Sequence, residues 1–202
     1  MLRLRWNHRV DPSSQAKRFV TEASRMGLLA VEFEGGGDGS GIGWEIIEQW
    51  TRSRAVTCAV LGGDVASPAL DIALCSDLVY LLPLTRLRLA AGSGAPTPGV
   101  IWALGRAGRR ALARGLLSSH DLDADEAKEI GVAHAVLHDR AELPIPGGAS
   151  LTAVTTARDL MRSALPGSAG LALELAAFRL LFAAGDPEEG ARAFLDKREP
   201  SF

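Results

Sequence analysis

The stretch VTCAVLGGDVASPALDIALCSDLVYLL, residues 56–82, decides the fold. Its start, Val56 to Leu61, is almost wholly apolar, which predicts a short strand buried on both faces, and Gly62-Gly63 is predicted to end that strand. Pro68 can occupy the first turn of the following helix, because its missing N–H would have no partner there anyway. Asp77 to Leu82 predicts the next strand. The stretch therefore predicts strand, helix and strand in the order of a βαβ unit.

The same order of elements extends to both sides of this stretch. Apolar spacing, together with turn and cap residues, predicts further strands and helices within the first 145 residues. The strands are Leu2 to Trp6, Leu28 to Phe33, Leu87 to Leu89 and Val132 to Leu137, and the helices are Asp11 to Met26, Ile42 to Arg52, Ile101 to Leu117 and Asp123 to Ile130. These elements predict an α/β core over residues 1–145, followed by a helical region over residues 146–202.

The composition of the chain excludes several classes of protein. Hydrophobic residues make up 47% of the 202 residues and the net charge is −2, so a packed core is expected, with no nucleic acid and no anionic membrane as a partner. No apolar run reaches about 18 residues, so no transmembrane helix is expected. Cys58 and Cys75 lie in apolar segments, outside any metal-ligand or disulfide spacing. A cytoplasmic location and the absence of a metal site are the expectations.

Three segments together resemble the enoyl-CoA hydratase/isomerase, or crotonase, superfamily. The first, Val60 to Leu78, is similar to the family's strand, glycine turn and helix, with an acidic residue six positions before a terminal Asp. Leu122 to Ala133 is similar to the family's I-x-A-x-E-A-x-x-x-G-L-V stretch, and Phe182 to Arg198 to its C-terminal F-x-x-x-D-x-x-E-G-x-x-A-F-x-E-K-R. The resemblance implies a crotonase-like spiral of βαβ units followed by helices, assembled as a homotrimer or hexamer. It also implies an acyl-CoA, or an acyl carrier protein thioester, as substrate, with no cofactor beyond the CoA of the thioester.

The resemblance implies an oxyanion hole, in which two backbone N–H groups hold the thioester oxygen of an enolate. Gly37 matches the first donor, although a glycine turn without that role has the same pattern. Counting back from Asp71 places Pro68 at the second donor position, where proline has no N–H to give, whereas counting forward from Gly62 places Ser67 there. The chain departs from the family pattern at this second donor.

Asp71 matches the first of the two acidic side chains with which hydratases of the family add or remove water. The alternative for Asp71 is an acid near a helix N-terminus, which the helix dipole favours. The second acidic position falls on Ala91, in a register that Pro98-Gly99 supports, and alanine cannot transfer a proton. One carboxylate suits isomerisation, dehydration or decarboxylation better than water addition. The rival interpretation is a non-catalytic subunit with a structural or stimulatory role.

The family's contacts to CoA fall on Phe178 and Lys197. By resemblance, the aromatic residue and the lysine contact the adenine and the phosphates, often from a neighbouring subunit. The alternatives are a phenylalanine in the core and a lysine that only solvates the surface.

Overall fold

The computed structural model describes residues 2–25, 27–37, 43–53, 55–89, 97–117, 121–143, 158 and 186–198. The strands in these residues are β1 (Leu2–Arg5), β2 (Leu28–Gly36), β3 (Val56–Val65), β4 (Leu78–Leu81), β5 (Arg86–Leu87), β6 (Leu122–Asp123) and β7 (Ala135–Val136). The α-helices are α1 (Pro12–Arg25), α2 (Trp44–Thr51), α3 (Ala69–Leu74), α4 (Pro98–Ala107), α5 (Arg109–Leu117), α6 (Ala124–Glu129) and α7 (Asp186–Asp196), and Arg140–Glu142 forms a 3₁₀ turn.

The strand β3 organises the sheet. Its first half pairs with β2 on one side and with β4 on the other, whereas Asp64 and Val65 pair with β5. The path β1-β2-β3-β4-β7 is parallel throughout, and β5 pairs antiparallel with β6. Parallel neighbours need crossover connections, which α1, α2 and α3 provide. The arrangement confirms the predicted α/β architecture of βαβ units.

The two faces of β3 are buried in different clusters. Ala59 and Leu61 belong to the main hydrophobic core, whereas Cys58 and Val60 belong to a smaller cluster that includes Tyr80. Side chains alternate between the faces of a strand, so a register shift of one residue would exchange the two sets. Burying a large apolar side chain such as that of Leu61 contributes roughly 1.5–3 kcal/mol. This packing holds the carboxyl end of β3 in place.

The strands β2 and β3 continue through glycines that the sequence predicts as breaks. They end at Gly36 and Val65, which pair with each other after an irregularity that follows Glu34, so the shorter predicted strands are wrong. Gly35 and Gly63 have φ angles of +45° and +72°, which glycine adopts without the penalty of a side chain. These glycines therefore lie within the paired strands and do not end them.

The structure adds detail to two other predictions. The segment Ile101 to Leu117 is largely helical, as predicted, and it is divided between two helices, α4 and α5, at Gly108, whose φ is +106°. A glycine with positive φ ends a helix even where the apolar spacing continues past it. The strand predicted over Val132 to Leu137 is reduced to Ala135–Val136, the two residues that pair with β4.

Arg158 and residues 186–198 are the described part of the predicted C-terminal helical region. The Arg158 side chain is buried, with Nη1 3.9 Å from Oδ2 of Asp77 and a hydrogen bond to the carbonyl of Ala55. This arginine therefore attaches the C-terminal region to the start of β3. The domain boundary near residue 145 stays a prediction. No helix in the described ranges combines the length and the apolar character that crossing a bilayer requires.

Candidate active site

The segments that follow β2 and β3 lie against each other at the carboxyl ends of these strands. Gly37 has a φ of +115°. A Cβ atom added to it would lie 2.6 Å from the carbonyl oxygen of Ala66 and 2.7 Å from that of Ser67. A side chain cannot be accommodated at such distances, so the position requires glycine. The structure thus brings together Gly37 and Ser67, two residues that the resemblance associates with an oxyanion hole.

The side chain of Asp71, in α3, is fully buried. Its Oδ1 accepts a hydrogen bond from the backbone N–H of Gly99, at 3.0 Å, and another from the hydroxyl of Thr97. Its Oδ2 is also buried, and no described residue donates a hydrogen bond to it. One carboxylate oxygen is therefore held in place, and the other is buried without a hydrogen-bond partner among the described residues.

The N-terminus of α4 faces Asp71. Thr97 is the N-cap residue of α4 and Pro98 its first residue. A Cβ atom at Gly99 would lie 2.8 Å from Cα, Cβ and Oδ1 of Asp71, so glycine is what allows the two helices to approach. The first N–H groups of a helix lack intrahelical partners and stabilise a nearby anion. The Asp71 carboxylate supplies an acceptor for one of them.

Burial controls the acidity of Asp71. It raises the pKa of the Asp71 carboxyl from 3.8 to about 6. Hydrogen bonds, led by that from Thr97, oppose this rise in pKa because they stabilise the charged form. A carboxyl group whose pKa lies near the operating pH can both take and give a proton. Asp71 is therefore chemically suited to proton transfer.

Ser67 is linked to Asp71 through Thr97. The hydroxyl oxygens of Ser67 and Thr97 are 2.9 Å apart. Thr97 has one hydroxyl proton, which it donates to Asp71, so Ser67 donates its own proton to Thr97. All three side chains are buried. With Gly37 and Gly99 they form one contiguous group, called the Asp71 cluster below.

Pro68 is the N-cap residue of α3 and has no N–H. The N–H of Leu70 is already used, because it donates to the carbonyl of Ala66 at 3.1 Å. The neighbours of Pro68 with a backbone N–H are Ser67, the second-donor position given by counting forward from Gly62, and Ala69.

The remaining residues assigned from the sequence are not part of this cluster. Ala91 and Phe178 lie outside the described residues. Lys197 follows α7 with a φ of +50° and an exposed side chain, and its backbone N–H donates to the carbonyl of Phe194 at 3.3 Å. Within the described ranges, no group of three or more His, Cys, Asp or Glu side chains could hold a metal ion. The functional roles of all these residues stay predictions.

Thr97 and Gly99 are members of the cluster to which sequence analysis assigned no role. The sequence did contain a signal at these residues, because Thr-Pro-Gly at positions 97–99 has the features of a helix start. Their contact with Asp71 joins residues that are 26 and 28 positions apart. Spacing rules for helices and strands relate only near neighbours, so they do not predict this contact.

Comparison with known proteins finds a similar sequence over about half of the chain and similar structures over nearly all of it. No family model matches the chain. A curated enoyl-CoA hydratase from Amycolatopsis orientalis is 33% identical over 102 residues, which are 49% of this chain and 47% of that protein. The chain thus aligns with about half the length of this relative.

Solved structures match over nearly the whole chain. An enoyl-CoA hydratase/isomerase from Pseudoalteromonas atlantica has a TM-score of 0.73 at 18% identity, covering 98% of this chain and 94% of that one. An enoyl-CoA hydratase from Mycobacterium avium subsp. paratuberculosis has a TM-score of 0.69 at 25% identity, covering 98% and 93%. A methylmalonyl-CoA decarboxylase complexed with 2S-carboxypropyl-CoA has a TM-score of 0.70 at 16% identity, with the same coverage.

These likenesses confirm the predicted crotonase-like spiral. The chain has the crotonase fold, and over about half of its length its sequence is similar to that of an enoyl-CoA hydratase. The names of the similar proteins include a decarboxylase as well as hydratases. Because one fold supports several reactions, the reaction has to be argued from the site.

Proposed function

We propose that this protein is an acyl-thioester enzyme of the enoyl-CoA hydratase/isomerase type that moves a proton next to the thioester carbonyl. Asp71 is its general acid–base. The observation that carries the proposal is the Asp71 carboxyl itself, which is fully buried, held at Oδ1 and without a partner among the described residues at Oδ2. Its pKa of about 6 suits proton exchange near neutral pH.

The chemistry requires a base and a stabilised oxyanion. When Asp71 takes a proton from carbon, the electron pair of the C–H bond moves toward the thioester carbonyl, whose oxygen becomes negatively charged. Preorganised backbone donors typically contribute about 3–4 kcal/mol each to such a transition state. Gly37 is the first proposed donor, and the position requires glycine for steric reasons. A backbone donor beside Pro68, at Ser67 or at Ala69, completes the proposed oxyanion hole.

A single acid–base group limits which reactions the site can catalyse. Adding water across a double bond uses a second carboxyl group, and Ala91 stands at the position that the resemblance gives it. Isomerisation and decarboxylation pass through an enolate with one acid–base. The proposed substrate is an acyl-CoA or an acyl carrier protein thioester, with Phe178 and Lys197 as proposed CoA contacts, and the proposed assembly is a homotrimer or hexamer. No cofactor beyond the CoA of the substrate is proposed.

Exchange of carbon-bound protons tests the proposal without knowledge of the overall reaction. The protein is incubated with butyryl-CoA in D₂O, and deuterium uptake at the carbon next to the thioester is followed by mass spectrometry. Asp71→Asn should slow uptake by about 10²–10⁴-fold. The matched control is Asp64→Asn, because Asp64 is a half-exposed acid at the end of β3 that pairs with Arg88 at 3.1 Å. Binding of CoA without exchange by the wild type would instead identify a non-catalytic subunit.

A further inference from the structure

We propose that Thr97, supported by Ser67, is the positioning residue of the site. Its hydroxyl holds Oδ1 of Asp71 and so leaves Oδ2 as the atom that exchanges the proton. The inference rests on the proposed function and adds to it the side chains that orient the acid–base and the oxygen that reacts.

The hydroxyl of Thr97 is not used to cap its own helix. Thr97 is the N-cap residue of α4, yet its side chain makes no hydrogen bond to the N–H groups of that helix. An N-cap threonine ordinarily accepts such a bond. Here the hydroxyl donates across to Asp71 in α3. Its position is therefore explained by the carboxylate rather than by the helix start.

Each hydroxyl group has one proton to donate, and this fixes the direction of the hydrogen bonds that link Ser67, Thr97 and Asp71. Ser67 donates to Thr97, and Thr97 donates to Oδ1 of Asp71, so both hydroxyl groups point toward the carboxylate. The N–H of Gly99 donates to the same oxygen at 3.0 Å. Two donors on one oxygen, the Thr97 hydroxyl and the Gly99 N–H, oppose rotation of the carboxylate. The second oxygen then has one defined location.

The two carboxylate oxygens differ in how easily they accept a proton. Protonating Oδ1 would displace at least one of its two donors, whereas no described residue donates to Oδ2. In the forward step the C–H bond of the substrate breaks, its proton bonds to Oδ2, and its electron pair passes to the enolate. In the reverse step Oδ2 returns the proton to carbon. The step needs no other reactant.

Within the described residues, no charged side chain contributes to the shift in the pKa of Asp71. The elements packed against α3 are α2, α4, β2 and β3. Burial and hydrogen bonds account for the shift in the pKa of Asp71, without a contribution from the titratable groups on these elements. Those groups are Glu45, Glu48, Arg106, Glu32, Glu34, Cys58 and Asp64. Thr97 provides the largest of the hydrogen-bond effects on this pKa.

The experiment titrates Asp71 directly. The protein is labelled with aspartate carrying carbon-13 in its side-chain carboxyl group, and the Asp71 resonance is assigned by its loss in Asp71→Asn. Thr97→Val keeps the side-chain shape and removes the hydrogen-bond donor, so the midpoint of the Asp71 titration should rise by about one pH unit. Thr97→Ser restores the hydroxyl and should titrate as the wild type does. Ser67→Ala should raise the midpoint by less. Circular dichroism at each pH verifies that the variants are folded.

The deuterium exchange assay then separates the two proposals. In Thr97→Val, the midpoint of the pH profile for exchange should rise together with the NMR midpoint, and in Thr97→Ser both should match the wild type. Suppose that the wild type exchanges protons but that neither midpoint changes in Thr97→Val, or that Thr97→Ser behaves as Thr97→Val does. Either result overturns the positioning role and leaves the proposed function intact. A wild type that does not exchange overturns the proposed function, and the positioning role falls with it.

Discussion

Asp71 should make the stability of this protein depend on pH in a direction opposite to that of most paired carboxylates. Burial raises the pKa of Asp71 from 3.8 to about 6 in the folded protein. Between these values the folded state binds more protons than the unfolded chain. The free energy of unfolding therefore falls as the pH rises through this window and levels off above it.

The size of this effect follows from the shift. A rise from 3.8 to about 6 is about two units, and each unit corresponds to about 1.4 kcal/mol, so ionised Asp71 costs the folded state about 3 kcal/mol near pH 7. Asp71→Asn cannot ionise and retains an oxygen that can accept from Gly99 and Thr97. The stability of the variant relative to the wild type should therefore increase by about 2 kcal/mol between pH 4 and pH 7.

Urea denaturation followed by tryptophan fluorescence at several pH values measures this difference. The chain contains four tryptophans, of which Trp6 and Trp50 are buried in the described core. Other carboxyl groups titrate in both proteins and cancel in the comparison. Asp64→Asn, at a half-exposed site, should show little of the effect. A constant difference between Asp71→Asn and the wild type across the pH range would refute the argument that burial dominates this carboxyl group.

Three further predictions concern catalysis, ligand binding and assembly. Hydration of crotonyl-CoA should be about 10²–10⁴-fold slower than in an enzyme with two carboxyl groups, because one acid is missing. Ala91→Glu should raise the rate of hydration only if a second oxyanion donor exists beside Pro68. Rapid hydration by the wild type would contradict the assignment of Ala91 to the second acidic position. Lys197→Ala should weaken CoA binding by roughly 1 kcal/mol, or about fivefold, if the lysine meets a phosphate, and equal affinities by calorimetry would remove Lys197 from the site. Light scattering at micromolar concentration should show a trimer or hexamer, and a monomer would contradict the proposed assembly.

The sequence by itself determined the kind and order of most of the elements. An apolar run, as at Val56 to Leu61, predicts a buried strand because both faces of that strand lie in a core, and the structure confirms the strand. The family motif identified Asp71 as a candidate acid. The same local patterns predicted strand ends at the glycine pairs, which was wrong, and they did not reveal that Gly108 divides the helical segment Ile101 to Leu117. Whether a glycine bends, pairs or terminates an element depends on partners that local spacing does not reveal.

Only the tertiary structure decided what surrounds Asp71. The approach of α4 to α3 requires Gly99 to lack a side chain, and it places the Thr97 hydroxyl and a helix N-terminus on one carboxylate oxygen. The acidity of Asp71 is likewise a property of its burial, since the same residue on the surface would titrate near its ordinary pKa. Hydrogen-bond partners and desolvation come from segments distant in the chain, and they exist only once the sheet and its crossover helices have packed.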